Sequence, residues 1–200
     1  AGNGWKMLMQ SLAAGRGISF PALTTGESQL QMKIVAAHAA VRHQFGVPLA
    51  KFEGIQKPLS EVIAYTYLLD TLRTYTLSAI DQGIKPSIVT AMAKLTSTEY
   101  ARKIVNNAMD VLGGAGISMG PKNRVAPYYI AAPVGITVEG ANILARTLVI
   151  FGQGAFRAHP HALAMIDALG KKDLAAFDHA IWSQVLHTGK NTVLAPLMSL

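Results

Sequence analysis

No stretch of this sequence alternates apolar and polar residues in a sustained two-residue period, which excludes a strand-built architecture. Apolar residues recur instead at helical spacing, in runs punctuated by glycine and proline. Trp5 to Ala14 reads as a short apolar segment that Gly15 and Gly17 interrupt. A run rich in small residues follows from about Ile18 to His43, with Ile34, Ala37, Val41 and Phe45 at helical spacing, and Gly46 and Pro48 close it. Pro58 suits the first turn of a second helix with the apolar face Leu59, Val62, Ile63, Leu69 and Leu72, and Gly83 is placed to end it. Pro86 opens a third helix, carrying Ile88, Met92, Leu95, Ile104, Ala108 and Leu112 toward Gly113-Gly114-Ala115-Gly116. After an irregular proline-rich stretch, Asn142 to Phe151 reads as a helix, and Asp173 as the N-cap of a last one ending near Gly189. Long helices joined by short turns predict an all-α fold, an antiparallel four-helix bundle.

Half of the 200 residues are hydrophobic, enough for one substantial core. The longest uncharged stretch, Val125 to Val138, carries two prolines and falls short of the ~20 residues of a spanning helix. The formal charge of +7 comes from scattered basic residues without interleaved aromatics, which disfavours nucleic acid. Without cysteine there is no thiolate metal site or disulfide, and a reducing, cytoplasmic setting is expected, at most peripheral to a membrane. The chain opens Ala-Gly-Asn-Gly, with neither Met nor a signal pattern, and reads as part of something longer.

Glu139 stands apart as the only Asp, Glu, Lys or Arg between Arg124 and Arg146. A carboxylate in apolar surroundings loses solvation and becomes a better base near neutral pH. Gly140, with no Cβ, lets a substrate or cofactor approach. The alternative is a helix-starting Glu that faces water at the positive end of the dipole. The Arg42-His43-Gln44-Phe45-Gly46 turn suits a phosphate, or is an ordinary basic helix terminus. Leu112-Gly113-Gly114-Ala115-Gly116 follows a helix rather than a strand, so it fails as a dinucleotide fingerprint and stays open as a turn on which a cofactor lies. His159-Pro160-His161 has no nearby carboxylate at ligand spacing and reads as a loop at a helix boundary, with no metal site.

Taken in order, Gly15-Arg16, Arg42 to Leu49, Phe52-Glu53-Gly54-Ile55-Gln56, Ala91-Met92-Ala93-Lys94, Gly113 to Ile117 and Val138-Glu139-Gly140 resemble the C-terminal domain of acyl-CoA dehydrogenases. The segment Ile136 to Leu144 and the tail after Phe151 look most like the long bacterial branch active in fatty-acid degradation. The resemblance covers about residues 2 to 157, a helical bundle, and implies that 158 to 200 begin a further helical extension. It implies FAD as cofactor and an acyl-CoA as substrate, with Glu139 as the base that takes the α-proton and forms trans-2-enoyl-CoA in β-oxidation. Arg42, Gln44 and Phe45 match positions touching the flavin's diphosphate and adenine side across a dimer. Gly113 and Gly114 match the turn beneath that half. Arg16 and Gly140 match positions beside the substrate. Electron-transfer flavoprotein as acceptor and a homo-oligomer are implied as well. The family pattern is departed from at Glu53, Asp110, Ala141 and Ile143, where other residues commonly stand. The same fold would serve an acyl-CoA oxidase, and the residues alone also allow a helical interaction module without catalysis.

Overall fold

The computed structural model describes residues 2–198. Its elements are α1 (Gly4–Val41), a hairpin of β1 (His43–Gln44) and β2 (Val47–Pro48), a 3-10 turn at Leu49–Lys51, α2 (Glu53–Asp81), α3 (Ser87–Leu112), α4 (Gly114–Ile117) and α5 (Ala126–Thr137). Then come α6 (Asn142–Leu144), a π-helical segment Ala145–Ala155, α7 (Phe156–Ala158), α8 (Ala162–Lys171) and α9 (Leu174–Met198). Residues 1–146 form one compact unit and residues 147–200 a second.

In the first unit α1, α2 and α3 pack against one another and α5 lies on α3, giving the expected all-helical bundle of four. Short connections make α1, α2 and α3 successively antiparallel. The core gathers Val35 and Ala39 of α1, Val62 and Leu69 of α2, and Ile104, Val105, Ala108 and Val111 of α3, closed by Val125. Toward the other end of α1 the buried stripe changes character, running Gly17, Pro21, Thr24, Ser28 and Gln31. Two of its hydroxyls are satisfied within their own helix: Thr24 Oγ1 donates to the Phe20 carbonyl and Ser28 Oγ to the Thr24 carbonyl, each at 2.7 Å. Thr98 of α3 does the same to the Lys94 carbonyl at 2.9 Å. Gln31 Oε1 and the neighbouring Thr25 Oγ1, by contrast, are buried without a hydrogen-bond partner among the described residues. Small residues such as Gly17, Thr24 and Ser28 let α1 and α3 approach closely there.

That approach explains the first departure from the sequence reading. Gly15 and Gly17 do not interrupt anything; α1 runs unbroken through them and through Pro21. A Cβ on Gly17 would lie 2.4 Å from Thr90 Cγ2, so Gly17 is a contact residue rather than a break. Pro58 likewise sits inside α2, which begins at Glu53. The proline-rich stretch after Arg124 is no loop but α5, opened by Pro127 at its start and by Asn123, whose Oδ1 accepts the Val125 and Ala126 N–H groups at 3.0 Å. Phe45 is not on α1, which stops at Val41, but in the hairpin turn.

Other punctuation holds. Gly83 takes φ +77 and ends α2, with its N–H on the Ile80 carbonyl (2.9 Å) and the Ile84 N–H on the Ala79 carbonyl (3.1 Å). Pro86 caps α3, and Gly113 at φ +54 ends it. In the second unit α8 packs on α9. Asp173 caps α9 by accepting the Ala176 N–H at 3.0 Å, as expected, but α9 passes Gly189 and continues to Met198. The helix expected over Asn142 to Phe151 starts as α6 and widens into the π segment.

Candidate active site

The turn between α5 and α6 carries Glu139 and Gly140 in two successive left-handed conformations, φ +53 and +90. For a non-glycine residue this conformation costs on the order of 1–3 kcal/mol and persists only where the surroundings impose it. Glu139 itself is exposed, so the desolvated carboxylate expected from its apolar neighbours in sequence is not what the fold provides. Val138 on its N-terminal side is exposed too. What distinguishes Glu139 is its electrostatic setting.

Two cations from two helices stand beside it. Arg16 of α1 is 5 % exposed and interacts electrostatically with Glu139. Burial pushes its guanidinium below the usual value, and the Glu139 charge works in the opposite direction. Its Nη1 lies 3.6 Å from where a Cβ on Gly140 would sit, while its Nε and Nη2 are buried with no hydrogen-bond partner among the described residues. Lys94 of α3 is fully buried. Its Nζ donates to the Gly140 carbonyl and to Asn142 Oδ1, both at 2.9 Å, and sits 5.7 Å from the centre of the Phe20 ring. Burial lowers the Lys94 ammonium from its ordinary value; Glu139 and Glu99 oppose this and Arg16 adds to it.

Of the residues singled out in the sequence, Arg16, Glu139 and Gly140 therefore come together. The others do not join them. Arg42, Gln44 and Phe45 lie in the hairpin beyond the far end of α1, roughly 39 Å from Arg16 at 1.5 Å per helical residue. Gly113 and Gly114 lie at the far end of α3, roughly 28 Å from Lys94 on the same scale. Lys94, Thr98, Glu99 and Asn142 were not singled out as site residues. Lys94 carried a signal, being the only charged residue between Lys85 and Glu99. Asn142 carried none.

Arg42 is exposed after the end of α1, and Phe45 is 94 % exposed at φ +52, an unusual conformation for a bulky side chain. Gly113 and Gly114 have bare backbone, with nothing within 4 Å of a Cβ built on either. His159 is engaged locally: its Nδ1 accepts the N–H groups of His161 (3.2 Å) and Ala162 (3.0 Å) at the start of α8.

The sequence profile of the acyl-CoA dehydrogenase C-terminal domain matches residues 2–151. This chain belongs to the acyl-CoA dehydrogenase family. The family's members are FAD-dependent oxidoreductases. The short-chain specific acyl-CoA dehydrogenase of Rattus norvegicus mitochondria is 36 % identical over 154 residues, which is 76 % of this chain and 36 % of that protein. A probable acyl-CoA dehydrogenase of Mycobacterium tuberculosis is 32 % identical over 116 residues, 58 % of this chain and 18 % of that one. Among solved structures, a glutaryl-coenzyme A dehydrogenase complexed with glutaryl-CoA superposes with a TM-score of 0.68 at 27 % identity, covering 77 % of this chain and 38 % of that one. Butyryl-CoA dehydrogenase from Megasphaera elsdenii shares the fold at a TM-score of 0.70, with 24 % identity and coverage of 77 % and 39 %. The chain thus spans about a third of the length of the relatives it matches most extensively. No single helix among the described residues is long and apolar enough to cross a membrane.

Proposed function

We propose that this chain provides the base and part of the cofactor contact of an FAD-dependent acyl-CoA dehydrogenase, with Glu139 taking the α-proton of an acyl thioester. The observation that carries the reading is the Glu139–Gly140 turn, held in a left-handed conformation beside the two buried cations Arg16 and Lys94. A carboxylate at an exposed turn is open to a substrate, and the bare Gly140 leaves room for a thioester to lie against the backbone. Proton capture removes the Glu139 charge from beside Arg16 and Lys94. The local field then turns toward the sign that stabilises a developing enolate. The chemistry FAD supplies when bound is acceptance of the β-hydrogen as hydride, which with loss of the α-proton gives trans-2-enoyl-CoA.

Arg42 would pair with the cofactor's diphosphate, Phe45 and Gln44 would lie along its adenine side, and Gly113–Gly114 would support the same half. Since this group lies far along the bundle from Glu139, the two groups serve different active sites of a homo-oligomer. Fatty acyl-CoA is the proposed substrate class and electron-transfer flavoprotein the electron acceptor. Residues 158–200 begin a helical extension with its own packing, α8 on α9.

The test is Glu139→Gln in the complete flavoprotein. It should retain flavin while anaerobic bleaching by palmitoyl-CoA slows by ~10²–10⁴-fold, the usual contribution of a general base. Bleaching at the wild-type rate would reject Glu139 as the base.

A further inference from the structure

Lys94 is an ammonium with no exposure at all, and both of its hydrogen-bond acceptors are neutral. Taking such a charge out of water costs several kcal/mol, and for stability alone an apolar side chain of similar volume does as well or better. Its partners show what the charge achieves instead. The Gly140 carbonyl immediately follows the base, and Asn142 opens α6 two residues later. Asn142 is committed on both sides of its amide: Oδ1 accepts from Lys94, while Nδ2 donates to Thr98 Oγ1 and Glu99 Oε1, each at 2.9 Å. Glu99 Oε2 is in turn paired with Arg102 Nη1 at 3.2 Å. Lys94, Thr98 and Arg102 follow one another at four-residue intervals, with Glu99 beside them, so one face of α3 holds the whole connection.

We propose that Lys94 is the positioning residue of the catalytic turn, fixing the Gly140 carbonyl and the Asn142 amide so that Glu139 is locked in its left-handed conformation. The proposal rests on Glu139 being the base. Among the described residues the Lys94 bond to Gly140 is the hydrogen bond that ties the turn to α3 between the end of α5 and Asn142, and without it Glu139 relaxes toward the conformations that ordinary residues prefer. A base displaced by about 1 Å loses on the order of 10²-fold in rate, while substrate affinity, set elsewhere, changes little.

Lys94→Met keeps most of the apolar stem and removes the ammonium, its donors and its charge together. In the 200-residue chain, amide hydrogen exchange across 138–145 should quicken about tenfold or more while α2 is unchanged, the signature of local rather than global opening. In the complete flavoprotein, kcat per bound flavin should fall ~10²-fold with KM within about threefold, and the isotope effect with α-deuterated acyl-CoA should rise. A merely structural role would lower flavin content and thermal stability but leave kcat per flavin and the isotope effect alone. Unchanged exchange across the turn, or kcat per flavin within about twofold of wild type, overturns the proposal. If Lys94→Met fails to fold, Asn142→Ala keeps the bond to Gly140 and should show the same isotope signature with a smaller loss; wild-type behaviour there also overturns it. Glu139→Gln, measured in parallel, separates the two ideas. If it stays active, the base assignment falls and this inference with it. If it is inactive while Lys94→Met behaves as wild type, only the inference falls.

Discussion

Gly15 and Gly17 lie close together on α1 and meet opposite surroundings. A Cβ on Gly15 would find nothing within 4 Å, whereas one on Gly17 would strike Thr90. Gly15→Ala should therefore stabilise the chain by about 0.5–1 kcal/mol, since glycine loses more backbone freedom in a helix than alanine. Gly17→Ala should destabilise it by about 1–3 kcal/mol through overpacking, and the two thermal midpoints should move in opposite directions. Glu27 offers a second residue-scale test. It lines a groove with Phe20, Leu23 and Val105, and burial raises its carboxyl above the ordinary range. A raised carboxyl means the folded state binds the proton more tightly than the unfolded one. Its ionisation thus opposes folding above the folded value, and that opposition fades as pH falls through the carboxylate range. Glu27→Gln should raise the midpoint at neutral pH, with a gain that shrinks on acidification. A gain independent of pH would contradict this. At this scale the site was half legible. Isolation among apolar residues picked out Glu139, and the same criterion applied to Lys94 would have found the residue that holds it. The burial inferred for Glu139 failed because neighbours in sequence are not neighbours in space.

The β1–β2 hairpin concentrates two costs in one element. Phe45 occupies a left-handed turn position that disfavours bulky side chains, and it is almost wholly exposed, with an edge contact to Phe52 at 6.4 Å. Phe45→Asn, which tolerates that conformation, should therefore stabilise the chain by about 1 kcal/mol. The same change should weaken flavin retention in the complete enzyme if the ring lies along the cofactor. Loss of stability instead would mean that the ring holds the hairpin together. Legibility at this scale followed the type of signal. Caps and stops at Gly83, Pro86, Gly113 and Asp173 were read correctly, because they depend on backbone geometry local to a few residues. Gly15, Gly17 and the prolines of α5 were misread as breaks, and Pro58, read as the first turn of its helix, sits five residues inside it. Packing against other helices outweighed local propensity at those positions. The π segment had no advance signal, although a Cβ on Gly152 would lie 3.4 Å from the Thr147 carbonyl five residues back, where a widened turn brings backbone close.

The molecule as a whole holds its core in the first unit, since every buried residue of the main apolar cluster lies between Val35 and Val125. Residues 1–157 alone should then give a strongly helical far-ultraviolet spectrum and a cooperative thermal transition; a broad, non-cooperative melt would show that the remaining residues are needed for the bundle. The intact chain should also purify colourless. One charge-assisted bond from Arg42 to a phosphate contributes ~1.5–3 kcal/mol, against about −8.2 kcal/mol for micromolar binding. Calorimetric titration with FAD should show weak binding at best, and a submicromolar one-to-one complex would mean that the bundle makes cofactor contacts beyond those assigned to it. The length of α1 has one more consequence. It is a single uninterrupted axle from Arg16 to the hairpin, so the separation and the rotational phase of its two ends are set by residue count alone. Deleting one residue between them would turn Arg42 by about 100° around the axis relative to Arg16 and shorten the span by only ~1.5 Å. Natural length variation in this chain should therefore be absent from the Gly17–Ala40 interval, and confined to connections such as the one between α4 and α5, where adding a residue changes no phase.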